Sequence, residues 1–132
     1  MERLNAAYMA DGYACLKGFE VVVSSYGVRE LSAINGIADA YAEDAPVLHI
    51  VGIPNTDARR RVPGVHGGHQ HLMRACQEVM CAAASLNGAS AVAEIDQVIP
   101  AVLHSKRLCS LALPTGLVRQ PCPPPIIDRR LS

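Results

Sequence analysis

Three short apolar runs, each followed by a glycine or proline, constrain this chain more than any other feature. They cover residues 19–25 (FEVVVSS), 47–53 (VLHIVGI) and 108–113 (LCSLAL), with Gly27, Pro54 and Pro114 just beyond them. β-Branched and aliphatic runs of that length, closed by turn residues, are the pattern of strands buried on both faces. The stretches between them repeat their apolar residues at helical spacing. Residues 4–16 predict a helix with Leu4, Ala7, Tyr8 and Leu16 near one face, stopped by Gly18. Residues 28–42 predict a second, carrying Leu31, Ile34, Ile37, Ala38 and Tyr41 and ended by Pro46. A third spans 70–86, including the small-residue run 82–85, and stops at the Asn87-Gly88 turn. A fourth spans 91–106, with Pro100 predicted to kink or break it.

Residues 55–68 are polar and glycine-rich, contain Arg59, Arg60 and Arg61, and predict a loop. The tail beyond Leu117 holds Pro121, Pro123, Pro124 and Pro125 and predicts an extended linker. Strands alternating with helices predict an α/β fold: an open three-layer parallel sheet with helices on both faces. Such a domain normally starts with a strand. This chain starts with a helix, so the fold is expected to be missing its leading strand. A sheet edge left open that way predicts modest stability or self-association.

Composition narrows the function classes. The chain has 132 residues, half of them hydrophobic, and 12 basic side chains balance 12 acidic ones. That length predicts a single domain with a real core, and the apolar content excludes a disordered chain. The zero formal charge argues against a general nucleic-acid binder. No apolar run is long enough to cross a membrane, and the first residues lack the apolar stretch of a signal peptide. Cysteines at 15, 76, 81, 109 and 122 are odd in number and form no CxxC, which points to a reducing, cytoplasmic setting. Cys76 and Cys81 read as small core residues.

Two stretches carry more than a generic pattern. One is Leu4-Asn5-Ala6-Ala7-Tyr8-Met9-Ala10-Asp11-Gly12-Tyr13-Ala14. The other runs from Gly27-Val28-Arg29-Glu30-Leu31-Ser32-Ala33-Ile34-Asn35-Gly36-Ile37-Ala38 through Tyr41-Ala42-Glu43 and Ala45-Pro46-Val47 to His49-Ile50-Val51-Gly52-Ile53-Pro54. Together they closely resemble the N-terminal, pyrimidine-binding domain of thiamine-diphosphate-dependent 2-oxo acid decarboxylases, the pyruvate and indolepyruvate decarboxylase group. The likeness continues at Ala93-Glu94-Ile95-Asp96-Gln97-Val98-Ile99 and at Leu111-Ala112-Leu113-Pro114-Thr115. It covers residues 4–118 and is strongest over 4–54. It implies a truncated pyrimidine-binding domain over residues 1–118, with 119–132 as a proline-rich tail or linker. It also implies thiamine diphosphate with Mg²⁺ between two subunits of a three-domain carbon–carbon lyase. The cofactor supplies the electron sink, and the protein supplies orientation and electrostatics.

Some positions depart from the family pattern. A glutamate that hydrogen-bonds the aminopyrimidine precedes the Leu-Asn-Ala-Ala-Tyr segment in the family, and Arg3 stands there in this chain. A guanidinium has no acceptor lone pair and stays charged. Glu2 is the nearby carboxylate, displaced by one residue, about 100° around a helix. The family's adjacent histidine pair, which handles protons and substrate, corresponds to His66 and Gly67. The turn Ser24-Ser25-Tyr26-Gly27 corresponds to a segment beside the pyrimidine, so Ser25, Gly27 and Glu2 are the candidate cofactor contacts and His66 the candidate catalytic residue. Arg29 replaces a glycine of the family there. The family's Gly-Asp-Gly diphosphate motif belongs to a C-terminal domain and is absent, as are GxGxxG and P-loop patterns.

The expectation is a thiamine-diphosphate-binding fragment that is inactive alone. A non-catalytic module that pairs with itself or with a full-length decarboxylase subunit is the alternative. His66, His69 and His71 form an H-x-x-H-x-H cluster that offers three imidazoles to Zn²⁺. No carboxylate or cysteine stands nearby at ligand spacing, so incidental loop histidines are the simpler reading.

Overall fold

A computed structural model of the chain describes residues 3–54 and 70–121. Four parallel strands form one sheet: β1 (Glu20–Ser25), β2 (Val47–Ile53), β3 (Ala82–Ser85) and β4 (Cys109–Pro114), in the spatial order β1-β2-β4-β3. The helices are α1 (Arg3–Lys17), α2 (Val28–Leu31), α3 (Ile34–Ala42), α4 (Gln70–Gln77) and α5 (Ala91–Ser105). The expected α/β class and parallel open sheet are thus found.

Strand alternation decides which helix covers which face. Val22 and Val47 point to one side, where Ala7, Ala10 and Ala14 of α1 and Ile37 and Ala40 of α3 meet them. Leu48, Cys109 and Leu111 point to the other, where Val98 and Val102 of α5 meet them. The sheet therefore lies between two helical layers. β2 sits between β1 and β4 and is buried along nearly its whole length, which accounts for its almost unbroken apolar sequence.

The contact between α1 and α3 is close enough to need small side chains. A Cβ at Gly36 would stand 2.7 Å from the Ala7 Cβ and 2.9 Å from the Tyr8 backbone nitrogen. That closeness corrects the expected inward face of α1. Alanines fill the interface, while Tyr8 and Leu16 face outward, Leu16 at 84% exposure. Gly18 ends α1 as expected, with a φ of 87° and its N–H donating to the Ala14 carbonyl at 2.7 Å.

The segment expected as one helix over 28–42 is two helices, interrupted at Ser32 and Ala33. Ser32 Oγ donates to the Val28 carbonyl at 3.0 Å, the local side-chain competition that loosens helix continuity. The expected helix over 70–86 ends at Gln77, and Ala82–Ser85 is a strand. Alanine favours helix in isolation, but here these residues pair in parallel with Cys109 through Ala112, and that tertiary pairing overrides propensity. Pro100 does not break α5. It lies on the exposed side, where solvent can serve the carbonyl it leaves free. Cys76 is buried as expected, but Cys81 is exposed, because it enters β3 at the sheet margin rather than lying on a helix.

Candidate functional site

Ligands of open α/β sheets bind beyond the carboxyl ends of the strands. In this chain the carboxyl end of β1 delivers Ser25, Tyr26 and Gly27 to that edge, beside the end of β2. The Tyr26 N–H donates to the Gly52 carbonyl at 3.0 Å, which holds the turn after β1 against β2. Gly27 has φ 99° and ψ −148°, a conformation that residues with a Cβ rarely adopt. Nothing lies within 4 Å of where its Cβ would be, so backbone conformation rather than crowding requires glycine.

Two guanidinium groups converge on Ser25. Arg3 Nη2, at the start of α1, and Arg29 Nη1, on α2, each lie 3.5 Å from Ser25 Oγ. Among the described residues the ion pair is Arg107 with Asp44, so neither arginine faces a carboxylate there. The sequence marked Arg3, Ser25 and Arg29 as neighbours of one site, and the structure brings all three together. Glu2, His66 and His69 lie outside the described residues, so the candidate catalytic histidine and two of the three cluster histidines fall there, while the third, His71, belongs to α4.

One residue behind Ser25 lies a polar pair that sequence reasoning assigned no role. Ser24 Oγ and His49 Nε2 share a 2.8 Å hydrogen bond between β1 and β2. His49 is fully buried, and burial pushes its imidazole down to about 4, so it is neutral at physiological pH. Its Nδ1 has no partner among the described residues. Glu30 of α2 is also buried at 1% exposure, its Oε2 has no partner among the described residues, and burial raises its carboxyl above the usual value. A histidine inside an otherwise aliphatic strand was the signal available in VLHIVGI. This layer is closed to solvent, so it positions the Ser25 turn rather than touching a ligand.

A second group of side chains meets on α1 and at the end of α3. Asp11, Cys15 and Glu43 place their ligand atoms within 4.8 Å of one another. The Cys15 thiol donates to Glu43 Oε2 at 3.8 Å and lies 4.0 Å from Asp11 Oδ1. Burial, then Glu43 and Asp39, raise the Asp11 carboxyl. A thiol hydrogen between two carboxylates already accounts for the arrangement.

A parallel sheet between helical layers, with the turn after β1 held against the end of β2, defines an open α/β domain. The chain belongs to the family described as thiamine pyrophosphate enzyme, N-terminal TPP binding domain, whose sequence profile matches residues 2–80. It is 46% identical over 127 residues to the alpha-keto-acid decarboxylase of Mycobacterium ulcerans (strain Agy99), covering 92% of this chain and 22% of that protein. It is 43% identical over 127 residues to the alpha-keto-acid decarboxylase of Mycobacterium avium (strain 104), covering 92% of this chain and 23% of that one. The chain thus spans less than a quarter of the length of these relatives.

The described residues do not fit the pyrimidine side of the cofactor as the family pattern requires it. That ring needs an acceptor carboxylate, and the side chains held at Ser25 are two donor-only cations. No step through the cofactor follows from them.

Proposed function

We propose that residues 1–118 are the pyrimidine-side domain of a 2-oxo acid decarboxylase-type protein, with 119–132 as a linker, and that the chain has no decarboxylase activity alone. Arg3 at the Ser25 hydroxyl carries this reading, because a guanidinium stands where the chemistry needs a proton-accepting carboxylate. In the whole-protein context the domain would face the diphosphate half of a site in another subunit, where Mg²⁺ would be held by residues outside this chain. The substrate class would be a 2-oxo acid such as pyruvate or indolepyruvate, in the cytoplasm. Ser25 and Gly27, with Glu2, would form the wall beside the ring, and His66 would be the proton-handling residue.

The test is CO₂ release from pyruvate and from indolepyruvate by the purified chain with thiamine diphosphate and Mg²⁺. The rate should equal that of a cofactor blank. A rate well above the blank, lost on heat denaturation of the chain, would overturn the proposal.

A second reading is a non-catalytic module that pairs with itself or with a full-length subunit. It is favoured by the outward apolar row of α1, in which Met9 is 64% and Leu16 84% exposed beside Tyr8 and Tyr13. Mixing the chain with a purified alpha-keto-acid decarboxylase on a sizing column should then give co-elution. Separate elution of a monomer would remove this reading.

A further inference from the structure

At the opposite, amino-terminal edge of the sheet, two cysteines meet. Cys81 stands just before β3, and its N–H donates to the Leu108 carbonyl at 2.9 Å. Cys109 opens β4, and the register pairs it with Ala82, the residue after Cys81. Their sulfurs are 2.8 Å apart, closer than two thiols sit by ordinary contact, and Cys81 Sγ is 3.7 Å from Ser105 Oγ at the end of α5. Three elements therefore fix this pair: the entry to β3, the start of β4 and the last turn of α5. The two cysteines differ in access, since Cys81 is exposed and Cys109 is fully buried.

We infer that Cys81 and Cys109 form a dithiol modification site that takes up low-molecular-weight disulfides and closes to an intrachain disulfide. The backbone hydrogen bond and the strand register hold both residues where the sulfurs can join by small side-chain rotations.

The chemistry divides between them by exposure. The exposed Cys81 thiolate attacks one sulfur of the small disulfide; a new S–S bond forms to Cys81, and one small thiolate leaves. Cys109 sulfur then attacks Cys81 Sγ; the S–S bond between the two cysteines forms, and the second small thiolate leaves. The two protons lost from Cys81 and Cys109 end on the two released thiols. The protein dithiol is oxidised by two electrons, and the small disulfide is reduced to two thiols.

Burial, with added contributions from Cys81, pushes the Cys109 thiol up, so the first attack falls to the exposed Cys81 and Cys109 attacks second, across the sulfur contact. The closing step should therefore quicken as pH rises. The other buried thiol, Cys76, is also raised by burial, to about 11, and among the described residues no sulfur contact ties it to the pair.

The test treats the full chain with oxidised glutathione at pH 8, blocks free thiols, digests with trypsin and reads the peptides by mass spectrometry. Cys81 falls in the tryptic peptide 75–106 and Cys109 in 108–119. The expected product is these two peptides joined, about 2 Da lighter than their sum. Peptide 75–106 also contains Cys76, so the Cys76→Ser variant should keep the cross-link and Cys81→Ser should lose it. A melt should rise by roughly 10 °C on oxidation of the wild type and stay unchanged for Cys81→Ser. The inference is overturned if Cys81 stops at the glutathione adduct, if Cys81→Ser still yields the cross-link, or if the joined peptides trace to Cys76.

Discussion

Acid should weaken this fold through His49, by an amount the structure sets. The imidazole is fully buried and bonded through Nε2 to Ser24, and burial lowers it from 6.5 to about 4. The unfolded chain then takes up a proton near pH 6.5, while the native chain resists until near pH 4. Between those values the unfolded state binds more protons, so stability falls as pH falls, at about 1.4 kcal/mol per unit, reaching a loss of about 3 kcal/mol near pH 4. Below that the native state is protonated too, and the loss from this group stops growing.

Glu30 acts in the opposite sense. Its folded value is raised by burial, so its contribution is present below 4.5 and is lost as pH rises through the folded value. Asp11 is raised as well and acts with Glu30. A comparison with a His49→Gln variant isolates the histidine, because both chains keep the carboxylates. Urea midpoints at several pH values from 7 to 4.5 should show the wild type losing stability faster than the variant, with a slope difference of about 1.4 kcal/mol per unit. Parallel pH profiles for the two proteins would refute the argument that a neutral buried imidazole sits at this position.

Three further outcomes follow from the geometry. Gly36→Ala forces a methyl to 2.7 Å from the Ala7 Cβ, and neither neighbour can swing aside, so it should cost about 1–3 kcal/mol despite alanine's better helix propensity; a melt checks this. Ser24→Ala leaves the buried His49 Nε2 without its partner and should cost about 1–3 kcal/mol by denaturant titration. Arg107→Ala removes an ion pair whose side chains are 50% and 60% exposed, so its cost should be under about 1 kcal/mol and should shrink further in high salt.

Much of the architecture was legible from local pattern because the pattern and the tertiary environment agreed. The 47–53 run is a central buried strand and reads as one. Gly18 stops α1 because only the left-handed backbone closes that end. Errors arose where the partner, not the segment, decides the structure. Ala82–Ser85 carries helix-forming residues and becomes a strand because β4 offers it a ladder. The inward face of α1 was misassigned because periodicity weights large apolar residues, whereas a close helix contact selects small ones. At the candidate site, the likeness to a family is what singled out Arg3, Ser25, Gly27 and Arg29, of which Arg3 and Arg29 meet at the Ser25 hydroxyl. The Ser24–His49 bond was not, because a lone histidine and a lone serine on separate runs give no spacing until the strands are registered. The Cys81–Cys109 contact was hidden for the same reason, since it spans 28 residues and depends on a strand read as helix.

The central claim is that this chain is a pyrimidine-side domain whose own residues do not hold the cofactor. A calorimetric titration of the purified chain with thiamine diphosphate and Mg²⁺ tests it most directly. No saturable heat is expected, since the side chains at Ser25 offer the pyrimidine ring no acceptor and no diphosphate motif is present in the sequence. Saturable binding at one equivalent would contradict it and would place a complete cofactor site within these residues.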